Sequence, residues 1–238
     1  MIIVRRSADR YHVRRRQRDV WSTFLPKVAD GFETLIALNE GLIPPGESIP
    51  SLSFQDAEVI TYVLEGALAC KGSKGGVGVT YAGEFQRRGA VRGHRERNAS
   101  RSAWARVFQI GLRSSAVGLQ PSPETKRFSI AQRHGVLCVI ASHDGRGGSL
   151  RIQSDAQVHS AILDSGRHLA YELAPESRAW LHIVTGEVQM GGNVLSVGDG
   201  AGITAEHAVS LIAEDDSEIL LVGLAEPQPR SSGTGFAP

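Results

Sequence analysis

The 238-residue chain is poor in cysteine, methionine and aromatic residues, with two cysteines, two methionines and 6% aromatics. Cys70 and Cys138 lie far apart, which excludes a disulfide framework and a thiolate zinc site. No apolar run approaches the roughly eighteen residues of a membrane-spanning helix, and the amino terminus lacks the pattern of a signal peptide. We therefore expect a cytoplasmic protein with no membrane partner.

Glycine, in contrast, is frequent, with 27 residues, while 41% of the chain is hydrophobic and 21% is charged. This balance is typical of a folded globular protein and excludes disorder. Regularly spaced short segments rich in β-branched residues follow one another between residues 136 and 223, with no helical pattern between them. The pattern predicts an all-β fold with many tight turns.

Charge is distributed unevenly, with a net charge of +7 for residues 1–113 and −6 for the remainder. Seven arginines lie among the first twenty residues, and seven more lie between Gln86 and Arg106. These clusters are either solvated arginine-rich surface or a contact for an anionic partner. Because no aromatic interleaving or helix-turn-helix pattern accompanies them, we do not expect a nucleic-acid partner.

The most informative segment runs from Ser51 to Gly66. From Glu58 onward it is rich in β-branched and aromatic residues and ends at a glycine, which predicts a buried strand closed by a turn. The segment resembles the first motif of the pirin family of two-domain cupins, in which a His-x-His pair precedes a glutamate and a run similar to Thr61–Gly66. Trp21–Phe24 and Ala82–Phe85 resemble two further segments of that family.

The resemblance implies an all-β bicupin made of two antiparallel cupin barrels of the jelly-roll type. We expect an N-terminal cupin domain at 1–113, a linker at 114–127, a C-terminal cupin domain at 128–225 and a flexible tail at 226–238. A weak internal repeat also favours two related domains. Tyr62–Leu68 corresponds to His182–Val188, and Gly83-Glu84 corresponds to Gly198-Asp199.

In the family that this chain resembles, two histidines of the first motif and a His and Glu of the second bind iron or a similar ion. The first two positions here correspond to Leu52 and Phe54, which have no lone pairs to offer. The second motif remains as His94-Arg95-Glu96, after an approach about two residues shorter than in the family. Two protein ligands rarely hold a catalytic ion, so we expect no metal and interpret His94 and Glu96 as a relict pair. A carboxylate site that adds Asp56 and Glu58 is a less favoured alternative.

The predicted ligand pocket consists of Leu52, Phe54, Glu58, Tyr62, His94 and Glu96, and no catalytic residue is predicted. The favoured function is a metal-free pirin-like protein that binds a small apolar or aromatic ligand or acts in regulation. One alternative is an oxidoreductase similar to quercetin 2,3-dioxygenase, which would need iron or another divalent metal. Another is a transcription-associated protein that contacts nucleic acid through its arginines. The oligomeric state is left open.

Overall fold

The computed structural model describes residues 1–15, 18–24, 30–49, 52, 56–71, 77–89, 95–114 and 122–224. Within these ranges the only α-helix is α1, Ile130–Arg133, and two 3-10 turns span Ser7–Asp9 and Arg146–Gly148. No helix in the described part of the chain is long and apolar enough to cross a lipid bilayer.

The remaining elements are strands. In chain order they are β1 (Ile2–Arg5), β2 (Tyr11–Arg15), β3 (Arg18–Ser22), β4 (Leu35–Ile43), β5 (Ser48–Ile49), β6 (Ala57–Glu65), β7 (Ala67–Lys71), β8 (Val77–Tyr81), β9 (Glu84–Gly89), β10 (Arg95–Asn98), β11 (Ala105–Arg113), β12 (Glu124–Arg127), β13 (Cys138–Ser142), β14 (Leu150–Arg151), β15 (Ala156–Leu163), β16 (His168–Glu172), β17 (Arg178–Thr185), β18 (Glu187–Met190), β19 (Asn193–Ser196), β20 (Gly200–Ile203), β21 (Ala208–Ala213) and β22 (Ser217–Leu224).

These strands form two similar barrels, each built from a seven-stranded and a four-stranded sheet. The first barrel has the orders β12-β9-β6-β11-β4-β3-β2 and β5-β10-β7-β8. The second has β1-β20-β17-β22-β15-β13-β14 and β16-β21-β18-β19. Pairing is antiparallel apart from the parallel contact of β13 with β14. The predicted all-β fold of two antiparallel barrels is confirmed.

The internal repeat seen in the sequence lies at equivalent points of the two barrels. Gly66 and Gly186 follow β6 and β17 with φ of 77° and 74°, and Gly83 and Gly198 precede β9 and β20 with φ of 81° and 83°. The amide of Gly83 donates to Val63 O at 2.9 Å, and that of Gly198 donates to the equivalent carbonyl, also at 2.9 Å. Glycine suits these turns because other residues are strained at such φ.

Two strands cross the predicted domain limits. β1 was expected in the first domain, but it pairs with β20 of the second barrel. β12 falls in the expected linker, but it pairs with β9 of the first barrel. These two assignments are therefore corrected. Both strands are four residues long, too short to show a clear alternation in the sequence. The predicted tail at 226–238 lies outside the described residues.

Alternation along β6 separates two apolar regions. Val59 and Val63 point into the first barrel. Val63 packs with residues of the four-stranded sheet, and Val59 packs with Leu52. Ile60 and Tyr62 point the other way, into a core shared with residues of the second barrel such as Trp180. The two barrels are therefore joined by a continuous apolar interface, and the first barrel has a separate interior of its own.

Candidate functional site

The predicted pocket residues lie in different parts of the first domain. Leu52 is buried with Ala57 and Val59 at the interior side of the barrel. Glu58 and Tyr62 are also buried, but they lie on the opposite face of β6, at the contact between barrels. Phe54 and His94 lie outside the described residues. The predicted grouping of Glu58 and Tyr62 with Leu52 is therefore corrected.

Glu58 connects the two barrels through its carboxylate. Its Oε2 accepts a hydrogen bond from Gln153 N at 2.5 Å, and its Oε1 has no hydrogen-bond partner among the residues that the structure describes. Burial raises the pKa of the Glu58 carboxyl, and hydrogen bonds from the backbone of Gln153 and Ser154 partly oppose the increase. Its position and contacts indicate an anchor for the loop after β14 rather than a metal ligand.

Tyr62 belongs to a second connection between the barrels. Its hydroxyl donates to Glu218 Oε1 at 2.7 Å, and Arg133 Nη1 donates to the same carboxylate oxygen at 2.5 Å. Arg133 Nη1 also lies 3.1 Å from Ser160 Oγ. These four side chains come from positions up to 156 residues apart, so only the folded chain brings them together. Sequence reasoning missed this cluster for that reason.

Glu96 is the predicted site residue that lies inside the first barrel, on β10. Arg88 Nε donates to its Oε1 at 2.9 Å, and Gln109 Nε2 donates to its Oε2 at 2.5 Å. Alternation on β9 and β11 turns Arg88 and Gln109 inward, while their neighbours Phe85 and Phe108 point to the interface between barrels. Glu96 is therefore held by a cation and an amide from the facing sheet.

A row of polar residues crosses the seven-stranded sheet beside this carboxylate. Strand pairing brings into register Asn39 on β4, Gln109 on β11, Thr61 on β6, Gln86 on β9 and Thr125 on β12. Gln86 Nε2 donates to Thr125 Oγ1 at 3.2 Å, and the thiol of Cys70 lies 3.2 Å from Gln86 Oε1. The interior of the first barrel is therefore partly polar.

Several polar atoms of this interior have no hydrogen-bond partner in the described part of the chain. They are Asn39 Oδ1, Thr61 Oγ1, Gln109 Oε1 and Arg88 Nη2. Buried polar groups usually hydrogen-bond to protein, water or a ligand, because leaving them unpaired costs free energy. Within the described residues, the interior of the first barrel therefore contains donors and acceptors without a partner.

The described side chains of this interior do not include a complete ligand set for the metal centre that the resemblance implies. The described residues contain no group of three or more His, Cys, Asp and Glu residues placed to hold an ion. Leu52 has no donor atom, and both oxygens of Glu96 accept hydrogen bonds from other side chains. Burial and the nearby Glu96 raise the pKa of Cys70 to about 12, so this thiol stays protonated and is a poor ligand.

Ion pairs neutralise much of the positive charge of the amino-terminal segment. Four of its seven arginines have an acidic partner: Arg5 pairs with Asp30, Arg6 with Asp199, Arg10 with Glu40 and Arg14 with Asp19. Arginines of the second cluster are paired in the same way, as Arg87 with Glu124 and Arg106 with Glu40. These pairs favour a structural role, and the absence of a nucleic-acid partner stays a prediction.

Comparison with known proteins agrees with the architecture of two similar barrels. Residues 5–112 match the family model described as Pirin, and residues 139–224 match the one described as Quercetinase C-terminal cupin domain. A quercetin 2,3-dioxygenase of Escherichia coli O157:H7 is 32% identical over 231 residues, covering 94% of this chain and 99% of that protein. A pirin-like protein of Caulobacter vibrioides is 33% identical over 190 residues, covering 79% of this chain and 82% of that protein.

Solved structures show the same likeness. The crystal structure of YhhW from Escherichia coli has a TM-score of 0.87 and 31% identity, covering 96% of this chain and 100% of that chain. The structure of bacterial pirin YhhW from Escherichia coli in complex with nickel(II) has a TM-score of 0.85 and 31% identity, covering 95% and 100%.

Proposed function

Because the chain belongs to the pirin family of two-domain cupins, we propose that it is a metal-independent member whose first barrel binds a small polar molecule. The observation that carries this proposal is the ion pair between Arg88 Nε and Glu96 Oε1, 2.9 Å apart, in the barrel interior. A buried carboxylate needs a compensating cation, since an isolated charge in an apolar interior is very costly. The guanidinium of Arg88 supplies that charge permanently, because arginine is not deprotonated in proteins.

The ligand that suits this interior is polar and uncharged. Arg88 and Glu96 neutralise each other, so this pair leaves no excess charge to attract an ion. The unpartnered Arg88 Nη2 donates to a ligand oxygen, while Gln109 Oε1 and Asn39 Oδ1 accept from ligand hydroxyl or amide groups. This chemistry replaces the apolar or aromatic ligand expected from Leu52 and Phe54 alone.

Elemental analysis tests metal independence. Protein expressed in a medium supplemented with iron, nickel and zinc, then dialysed without chelator, should contain far less than one equivalent of any of these metals. An Arg88→Met variant is prepared and analysed in the same way for comparison, because its Glu96 carboxylate no longer has a cation inside the barrel. Stoichiometric metal in the parent protein that Glu96→Gln removes would overturn the proposal.

Ligand binding is tested separately. Thermal unfolding in the presence of neutral polyols and amides should reveal molecules that raise the melting temperature of the parent, since a ligand of the folded state stabilises it. The increase should be smaller in Thr61→Val, which removes one unpartnered hydroxyl at nearly constant volume. A matched change in the second barrel, Thr204→Val, should leave it unchanged. Equal increases in both variants would reject the first-barrel site.

A second candidate is a metal-dependent oxidoreductase similar to quercetin 2,3-dioxygenase. The observation that favours it is the 32% identity to a protein of that name across 94% of this chain. In that case Glu96 would have to leave Arg88 in order to become a ligand. Oxygen consumption with a flavonol after anaerobic loading with Fe(II) or Ni(II) tests it. Turnover above a metal-only blank that Glu96→Gln abolishes would favour the oxidoreductase.

A further inference from the structure

The second barrel has a cleft of its own, with a volume of about 430 Å³. Its walls come from β15, β16, β17 and β22 together with the turn at Arg146–Gly148. The lining includes Gln157, His159, Tyr171 and Gly223. Its volume lies within the usual range for small-molecule sites. All the residues that line it are described, and none belongs to the candidate site of the first barrel.

Strand register builds the floor of this cleft. Gln157 and His159 are two residues apart on β15, so they share a face of the strand, and they pair with Gly223 and Leu221 of β22. A Cβ at position 223 would lie 2.7 Å from the Tyr171 hydroxyl oxygen, so the absence of a side chain leaves room for that group. The rings of His159 and Tyr171 meet edge to face, with centroids 5.0 Å apart. Imidazole and phenol are thus fixed side by side.

His159 brings an unused polar atom into this floor. The residue is 4% exposed, and its Nδ1 has no hydrogen-bond partner in the part of the chain that the structure describes. Burial lowers the pKa of His159 to about 4. The imidazole is therefore neutral near pH 7, and a nitrogen of a neutral imidazole that carries no proton accepts hydrogen bonds.

Arg146 provides a cation at the entrance of the cleft. Its Nη2 donates to Gln157 Oε1. Asp144 lies nearby, since its Oδ1 accepts from the Arg146 amide and the Arg146 charge lowers its pKa, but within the described residues the guanidinium itself forms no ion pair. Arg178, the other arginine of the lining, differs because it is paired with Glu33. The charge of Arg146 acts to lower the pKa of both His159 and Tyr171, and the lining residues Asp155 and Glu172 are exposed. The cleft therefore presents one unpaired guanidinium close to a neutral imidazole and a phenol.

We propose that this cleft binds a small monocarboxylate that carries a hydroxyl group, with the carboxylate on Arg146 and the hydroxyl on His159 Nδ1. Arginine binds carboxylates in preference to other common groups because its planar donors match their geometry. The exposed Asp155 and Glu172 disfavour ligands with a second negative charge. Residues two apart on a strand, such as Gln157 and His159, are separated by about 7 Å. Because Arg146 contacts Gln157, its guanidinium and the His159 imidazole suit a ligand that carries its two polar groups at opposite ends.

Titration calorimetry with 4-hydroxybenzoate tests the proposal, because the probe has a carboxylate and a hydroxyl at opposite ends of a ring. The parent protein should bind it with a dissociation constant on the order of 1 mM or tighter. The amide analogue 4-hydroxybenzamide, which lacks the charge, should bind at least about tenfold more weakly. Arg146→Gln should lose the binding.

The control variant is Arg151→Gln, which removes an exposed arginine of the same barrel outside the cleft and should bind as the parent does. Glu96→Gln should also bind normally, which separates this site from the first barrel and from the proposed function. The proposal is overturned if the parent gives no heat of binding, if the amide binds equally well, or if Arg146→Gln binds as the parent does. Because the Arg146 side chain is on the surface, its replacement is not expected to prevent folding.

Discussion

The guanidinium of Arg88 and the carboxylate of Glu96 are joined at 2.9 Å inside the first barrel, and their side chains are 1% and 0% exposed. Glu96 corresponds to the glutamate of the second motif in the family that the chain resembles, where it is expected to be a metal ligand. Here Arg88 on β9 and Gln109 on β11 donate hydrogen bonds to its two oxygens. The carboxylate is therefore compensated by the protein itself.

The first prediction concerns the stability that this pair provides. Arg88→Met should lower the free energy of unfolding by about 3–5 kcal/mol, because it leaves a buried carboxylate without a cation. Adding Glu96→Gln should recover a large part of the loss, since the uncompensated charge is then gone. Arg127→Met, which breaks a surface pair with Glu84 whose arginine side chain is 56% exposed, should cost no more than about 1 kcal/mol.

Urea unfolding followed by circular dichroism measures these differences. If the double variant is as unstable as the sum of the two single variants, Arg88 and Glu96 are not coupled, and the ion pair has no special importance for the barrel.

The second prediction concerns recovery of a metal site. Leu52→His with Phe54→His restores the two histidines of the first motif. We nevertheless expect no increase in melting temperature with Ni(II) or Zn(II), because the Glu96 carboxylate remains paired with the Arg88 guanidinium. Adding Arg88→Met should free the carboxylate and produce a metal-dependent increase. Glu96→Gln in that triple variant is the control and should remove the increase. An equal response of the double and triple variants would show that Arg88 does not block metal binding.

The third prediction concerns the contact between the barrels. Tyr62→Phe removes the hydroxyl that donates to Glu218 Oε1 and should lower the free energy of unfolding by about 1–3 kcal/mol. Tyr81→Phe is the matched control, because Tyr81 is 53% exposed, and its effect should be close to zero. Chemical denaturation of the three proteins gives the comparison. Indistinguishable midpoints for Tyr62→Phe and the parent would contradict a stabilising role for this hydroxyl.

The sequence predicted the strands and the glycine turns better than the direction of individual side chains. Residues 57–63 are buried on both faces of β6, and each face carries a polar residue, Glu58 on one and Thr61 on the other, so polarity does not mark which face points into the barrel. Glu58 and Tyr62 were therefore grouped with Leu52, although they lie on the other face. Gly200–Ile203 forms a strand that the sequence pattern indicates poorly, because two of its four residues are glycines, which strands usually avoid.

The ion pair of Arg88 with Glu96 was not predictable either. The two residues are eight positions apart on different sheets, and the strands between and around them decide whether they face each other. In the sequence, Arg88 is one of seven arginines in a polar segment, which is typical of solvated surface. Its position on β9 turns its side chain into the barrel, and this depends on the pairing of β9 with β6.

The last prediction concerns His182, which occupies the position equivalent to Tyr62 in the second barrel. It is 1% exposed, both ring nitrogens lack partners in the described structure, and its ring meets Phe108 edge to face at 5.8 Å. Burial lowers its pKa to about 3, with Arg10 and Arg106 acting in the same direction and Glu40 and Asp199 opposing them. The imidazole therefore stays neutral in the folded protein.

A depressed folded-state pKa gives a definite pH dependence. In the unfolded chain His182 has a pKa near 6.5, so between about pH 6.5 and 3 the unfolded state binds more protons, and stability falls as the pH falls. The contribution is at most about 1.4 kcal/mol per pH unit. We expect His182→Leu to reduce this slope while His207→Gln, which changes an exposed histidine, leaves it unchanged. Free energies of unfolding from urea titrations across this pH range measure the slope. Part of the slope should remain in His182→Leu, because burial also lowers the pKa of His159. Parallel curves for the parent and His182→Leu would show that His182 is protonated in the folded protein as readily as in the unfolded chain.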